Sequence, residues 1–266
     1  MSVRYGISVA STEQFLSLPA KLPPTLKAVE FTGDVFSNSQ ALQKLNSLNK
    51  NGTLLCGRDF IAPKLAALIP EETCKLRSEL ELYFHERCAK AAEYGIRKFS
   101  VAFDLFQAVS REGSREKLSR FLRRCAGVIH PFGQTMNLVC RIPGGDAFSE
   151  WEKTVAFRRE LLSPNIGFEL VLHPHEPNAP DLIARALHSL RLHDFCRRIC
   201  YDSSVGNSLT PGALKRCSET FAKGIDPDMV IFLDPGNCKF DSRLIGELDE
   251  LIRNYQPAES GELNFK

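Results

Sequence analysis

The sequence predicts an α/β protein folded as a single (β/α)8 TIM barrel. Three observations lead there. Eight short β-rich runs alternate with amphipathic helical stretches from one end of the chain to the other. The runs lack a clean apolar–polar alternation, as strands buried on both faces do. The 266 residues match the roughly 250 that one closed barrel commonly needs. The competing architecture, an open doubly wound sheet, usually carries a glycine-rich phosphate turn after an early strand, and neither GxGxxG nor a P-loop occurs.

The elements follow in order. Val3–Val9 is the first strand, and Thr12–Leu18 a short helix stopped by Pro19, Pro23 and Pro24. Leu26–Phe31 is the second strand. Ser39–Leu48 is helical, with Leu42, Leu45 and Leu48 on one face, and Asn51-Gly52 ends it. Thr53–Cys56 is the third strand, and Pro63–Pro70 an apolar piece of open form. Leu76, Leu80, Phe84, Cys88 and Ala91 stripe a long helix closed by Gly95. Phe99–Phe103 is the fourth strand. Leu118, Phe121, Leu122 and Cys125 mark the helix after it. Met136–Ile142 is the fifth strand, and Trp151, Val155 and Leu162 mark a helix closed by Pro164.

Ile166–Leu172 is the sixth strand. Asp181 caps a helix carrying Ile183, Ala186, Leu187 and Leu190. Arg198–Tyr201 is the seventh strand. Thr210 followed by Pro211 reads as an N-cap with proline at the first helical position, leading a helix lined by Ala213, Cys217 and Phe221. Met229–Leu233 is the eighth strand, and Leu244, Ile245, Leu248 and Ile252 line the last helix. No composition shift or repeat divides the chain, so residues 1–256 are expected to form one barrel and residues 257–266 a polar tail.

Composition narrows the classes. A hydrophobic share of 43% with 25% charged residues allows a buried core and a wet surface, which excludes disordered and fibrous chains. The 34 basic and 32 acidic residues nearly cancel, so nucleic-acid coating is not expected. No apolar run approaches the roughly 18 residues of a membrane span, and the polar start is too short for a signal peptide. Nine cysteines, an odd count without CxxC spacing, read as thiols in a reducing compartment, and the expected location is the cytoplasm.

In such barrels the chemistry lies at the C-terminal ends of the strands. Those ends carry Glu30 and Asp34, Arg58 and Asp59, Asp104, Arg141, His173, His175 and Glu176, Asp202, and Asp234. Gathered at one mouth, carboxylates and imidazoles could move protons on a hydroxylated substrate or bind a metal. Glu30, Asp104, His173 and Asp202 are the candidate catalytic groups. His173, His175 and Asp202 are the candidate ligands for a divalent cation such as Mn, Zn or Mg. Arg58 and Arg141 could stabilise negative charge on a substrate. Ser203, Ser204 and Asn207, before the helix at Pro211, could present donors to an anion.

Each feature has a plainer reading. Asp234-Pro-Gly-Asn reads as a turn. Asp59 and Glu30 could pair with Arg58 or another basic group. Arg111, Arg115, Arg120, Arg123 and Arg124 around one helix, and Arg197 and Arg198 at the head of strand seven, are expected mainly on solvated outer faces.

The sequence resembles the xylose isomerase-like TIM barrels, a superfamily of sugar isomerases, sugar epimerases and endonuclease IV-type enzymes. The resemblance spans most of the chain. It rests on Arg4-Tyr5-Gly6-Ile7-Ser8, Ala28-Val29-Glu30-Phe31, Ser163-Pro164-Asn165-Ile166-Gly167-Phe168 and Ile199-Cys200-Tyr201-Asp202-Ser203. It implies a divalent metal held by Glu, Asp, His and Glu on successive late strands. In this chain those positions fall near Cys140 or Arg141, at Val171, at Ile199 and near Leu233. Asp202 is retained, and His173 or His175 could stand in for a family histidine.

Two functions follow. One is a sugar or sugar-phosphate isomerase or epimerase that moves a proton next to a carbonyl, with a small carbohydrate or phosphosugar as partner. The other is a degenerate, metal-free barrel that binds a carbohydrate or a protein without turnover. Phosphodiester cleavage ranks last, because it needs a multi-metal cluster rich in His and Glu and four of the six histidines fall on helices. The sequence leaves the oligomeric state open, a homo-oligomer included.

Overall fold

The computed structural model describes residues 4–60, 74–101, 114–141, 156–157, 160–161, 163–172, 195–200, 209–222, 230–236 and 238–255. Eight parallel strands give a TIM-barrel-like α/β fold: β1 (Arg4–Val9), β2 (Leu26–Thr32), β3 (Leu54–Arg58), β4 (Lys98–Val101), β5 (Thr135–Arg141), β6 (Ile166–Leu172), β7 (Phe195–Cys200) and β8 (Val230–Asp234). Each pairs with the next in chain order, and β8 pairs with β1 through Arg4↔Val230 to Ile7↔Leu233. The described helices are α1 (Thr12–Ser17), α2 (Ser39–Lys50), α3 (Cys74–Glu93), α4 (Ser114–Ile129), α5 (Pro211–Ala222) and α6 (Ser242–Tyr255), with 3-10 turns at Gly33–Ser37 and His130–Phe132.

Local chemistry starts and stops these helices. Ser11 Oγ accepts from the Gln14 amide and Asn38 Oδ1 from the Ala41 amide. Thr210 Oγ1 accepts from the Ala213 amide, which makes Thr210 the N-cap that its sequence promised. Asp241 Oδ1 does the same for Leu244. Beyond α2 and α3 the chain turns at Gly52 and Gly95, with φ of 75° and 72°, a region that glycine enters without strain.

Alternation along each strand divides the side chains between two places. Tyr5, Ile7, Val9, Val29, Phe31, Phe99, Met136, Leu138, Phe168, Ile199, Ile231 and Leu233 belong to the large core between strands and helices. Ala28, Cys56, Val230 and Phe232 form a separate cluster inside the ring. There β1 passes very close to β2: a Cβ on Gly6 would sit 2.8 Å from Ala28 Cβ and 2.9 Å from Phe232 Cδ1. Above that layer the inward positions are polar: Ser8, Glu30, Arg58, Ser100, Glu169, Arg198 and Asp234.

Some boundaries differ from the sequence expectation. β3 runs through Arg58, two residues past the expected Cys56, so Arg58 stands on the strand itself. β7 begins at Phe195 and ends at Cys200, three residues earlier than expected at its start. Arg198 therefore lies in mid-strand with 2% of its surface exposed, which corrects its assignment to a solvated outer face. The expectation does hold on α4, where Arg120 and Arg123 are exposed. The expected apolar piece at 63–70, the helix capped by Asp181, and the tail 257–266 lie outside the described residues.

Candidate active site

A chain of charged contacts fills the C-terminal half of the ring. Ser8 Oγ donates to Glu30 Oε2 at 2.7 Å, because β1 and β2 pair Ser8 directly with Glu30. Arg198 Nε donates to the same Oε2 at 3.1 Å, and its Nη2 contacts Glu169 Oε1. Glu30 stands on β2 and Glu169 on β6, opposite each other in an eight-strand order, so Arg198 ties the two sides of the ring together. All three side chains are at most 3% exposed.

A second set lies nearer the mouth. Arg58 Nη1 donates to Ser8 Oγ at 2.9 Å and pairs with Asp234 Oδ2 at 2.7 Å. Its Nε reaches Asp59 Oδ2 at 3.4 Å. Asp234 Oδ1 accepts from the Gly236 amide at 3.1 Å, the turn expected of Asp234-Pro-Gly-Asn. The same carboxylate also holds Arg58, so it serves turn and site at once. The Cys200 thiol donates to Asp234 Oδ2 at 3.5 Å, and burial, with Asp234 beside it, pushes that thiol up to about 12. A thiol held this high carries little thiolate at neutral pH, which weakens it as a nucleophile.

Asp59 has a φ of 46°, the one non-glycine in the left-handed region among the described residues. Aspartate enters that region more readily than most residues, at a cost of up to about 1 kcal/mol. It is held by Ser100, whose Oγ accepts from the Asp59 amide at 3.3 Å while its carbonyl accepts from the Phe60 amide at 2.9 Å. The Phe60 ring stacks on Phe99 with centroids 4.9 Å apart. Asp59 Oδ1 and Glu30 Oε1 are buried without a hydrogen-bond partner.

Burial pushes the Glu169 carboxyl up to about 8; Arg198 pulls it down, and the charge of Glu30 adds to the rise. One guanidinium between two buried carboxyls leaves a net negative charge unless the pair also carries a proton. A single proton on the pair makes the trio neutral, which is the arrangement a dry interior favours. The site thus combines a carboxyl that keeps a proton near neutrality, two fixed guanidiniums and a strained aspartate at the mouth.

Glu30 and Arg58, both singled out from sequence, meet here through Ser8. Arg141 closes β5 with its backbone beside Val171. Asp104, His173, His175, Asp202, Ser203, Ser204 and Asn207 lie outside the described residues. Sequence reasoning missed Ser8, Glu169 and Arg198. The available signal was three polar residues inside apolar strand runs, at positions whose neighbours face the helices.

The described residues do not fit a divalent cation. Among them no three His, Cys, Asp or Glu side chains are grouped to hold one. Each inward carboxylate is already in contact with Arg58 or Arg198. Three of the four positions where the resemblance implies ligands hold apolar side chains: Val171 is buried in β6, while Ile199 and Leu233 belong to the core between strands and helices.

No protein-family model matches the sequence, and no curated protein matches it. Solved structures do. A D-psicose 3-epimerase in the presence of D-fructose matches with a TM-score of 0.63 at 17% identity, over 95% of this chain and 96% of that one. A 3-keto-D-glucoside 4-epimerase from E. coli matches with a TM-score of 0.61 at 14% identity, over 95% of this chain and 100% of that one. An AP endonuclease of family 2 from Brucella melitensis matches with a TM-score of 0.58 at 13% identity, over 92% of this chain and 98% of that one. At these identities the likeness is one of fold alone, the TIM-barrel-like α/β fold described above.

Proposed function

We propose that this chain is a sugar or sugar-phosphate isomerase or epimerase, acting by proton transfer next to a carbonyl at the C-terminal mouth of the barrel. Its fold is shared with sugar epimerases. The observation that carries the reading is Asp59, strained at φ 46° beside Arg58, with Oδ1 unpartnered. Strain of this kind persists where the surroundings enforce it, and it gathers at sites of chemistry.

In this reading Asp59 takes the proton from the carbon next to the carbonyl, with Asp104 and Asp202 kept as further candidate acid–base groups. The electrons move onto the carbonyl oxygen, and the enediolate faces Arg58. In an isomerisation the proton goes to the former carbonyl carbon while the neighbouring hydroxyl passes its own proton to the carbonyl oxygen; in an epimerisation a second acid protonates the same carbon from the opposite face. His173 is the candidate second acid. Glu30 and Glu169, through Ser8 and Arg198, fix Arg58 and hold a proton beneath the site. Arg141, Ser203, Ser204 and Asn207 complete substrate binding, with the last three suited to a phosphate. His175 joins His173 and Asp202 as the set we keep for any divalent cation. We further propose one closed (β/α)8 domain over residues 1–256, a cytoplasmic location, and no membrane or nucleic-acid partner.

The test is NMR of the purified chain with ketoses, aldoses and their phosphates in D2O. Deuterium should enter next to the carbonyl of one sugar, and Asp59→Asn should stop it with the fold intact. The second reading is a barrel that binds without turnover, favoured by apolar Ile199 and Leu233 in the helix-facing core. Saturable sugar binding with no deuterium exchange for any sugar would establish it instead.

A further inference from the structure

We infer that Arg198 is the resident cation of this barrel. It holds Glu30 and Glu169 together where two opposed carboxyls would otherwise need further protons or a bound dication, and its removal opens the pair to a divalent cation. The inference concerns how the carboxyls are held and goes beyond the proposed reaction.

The geometry supports it from both sides. Arg198 contacts Glu30 with Nε and Glu169 with Nη2, so one planar group spans two acids from opposite strands. The three groups are at most 3% exposed, so they are cut off from bulk water. Glu30 Oε1 remains buried with no partner, an oxygen that a smaller, closer cation would take up. Arg58 stands within the same contact chain through Ser8, so a dication added beside Arg198 would meet two fixed positive charges. With Arg198 absent, the guanidinium volume and two inward carboxyls remain, a hard oxygen donor set of the type that Mn and Mg prefer.

The experiment is calorimetric titration of the full chain with manganese chloride near pH 7.5, repeated with Glu30→Gln, Glu169→Gln and Arg198→Ala. Wild type is expected to show no binding that depends on Glu30 or Glu169. Arg198→Ala is expected to gain a saturable site at least roughly tenfold tighter than any in wild type, lost again when Glu169→Gln is added. Should Arg198→Ala not accumulate folded, its refolding yield with manganese against EDTA reads the same quantity, and the yield should rise severalfold. Two results overturn the inference: a wild-type site abolished by Glu30→Gln or Glu169→Gln, or an Arg198→Ala protein that manganese neither binds nor rescues.

Discussion

Arg198 on β7 reaches across the ring to Glu30 on β2, placing its Nε 3.1 Å from Oε2. Both groups are almost wholly removed from water. A buried pair of this kind is weak evidence of net stabilisation, but breaking it leaves a stranded charge, and that is costly.

Glu30→Ala should destabilise the protein by about 1–3 kcal/mol, since Arg198 and Ser8 both lose an acceptor while Arg198 keeps Glu169 as its counter-charge. Urea unfolding followed by circular dichroism measures this. A loss below about 1 kcal/mol would mean that the interior rearranges or hydrates around Arg198.

Glu169 should make stability depend on pH with an unusual sign. Its carboxyl is raised from 4.5 to about 8 in the fold, so the native state binds its proton more tightly than the unfolded chain does. The stabilisation is complete below about pH 4.5, fades as pH climbs, and is gone above about 8, amounting to a few kcal/mol at most. Melting temperature should fall between pH 5 and 8.5, and Glu169→Gln should flatten that slope. An unchanged slope in the variant would assign the titration to another group.

Asp59→Gly should separate stability from activity. Glycine adopts φ 46° without a β-carbon clash, so stability should hold or rise by up to about 1 kcal/mol. Turnover on the sugar found by deuterium exchange should fall at least about a hundredfold, because the carboxylate is gone. A variant that loses stability while keeping its turnover would make Asp59 a structural tie.

Gly6→Ala tests the closeness of β1 to β2. The added Cβ would lie 2.9 Å from the Ala28 carbonyl oxygen as well as 2.8 Å from its Cβ, and backbone cannot swing aside as a long side chain can. Overpacking at such a point costs about 1–3 kcal/mol. Thermal unfolding with no measurable loss would show that the two strands can part.

The strands were legible because each is a short apolar run between turn signals, and Thr210, Gly52 and Gly95 punctuate their helices as their chemistry dictates. Arg198 was not. A double arginine reads locally as surface, and only carboxyls brought from β2 and β6 make its burial tolerable. Glu169 sits between Phe168 and Leu170, where the apolar run hides it. Glu30 stood out because it lies near a strand end, as did Arg58. Their meeting through Ser8 depends on the register of β1 against β2, which a local pattern does not encode.

The pairing of β1 with β8 also bears on how the chain is made. β1 has its neighbour β2 close by in sequence, yet its other edge can be paired only once β8 is made at Val230–Asp234. Gln14 then latches the seam, its Nε2 donating to the carbonyls of Gly236 and Cys238 while its Oε1 accepts from the Ala10 amide. Nascent chains stalled before that point carry two unpaired strand edges, the kind of surface that recruits chaperones and seeds aggregation. A chain cut short before Val230–Asp234 would therefore expose both open strand edges at once.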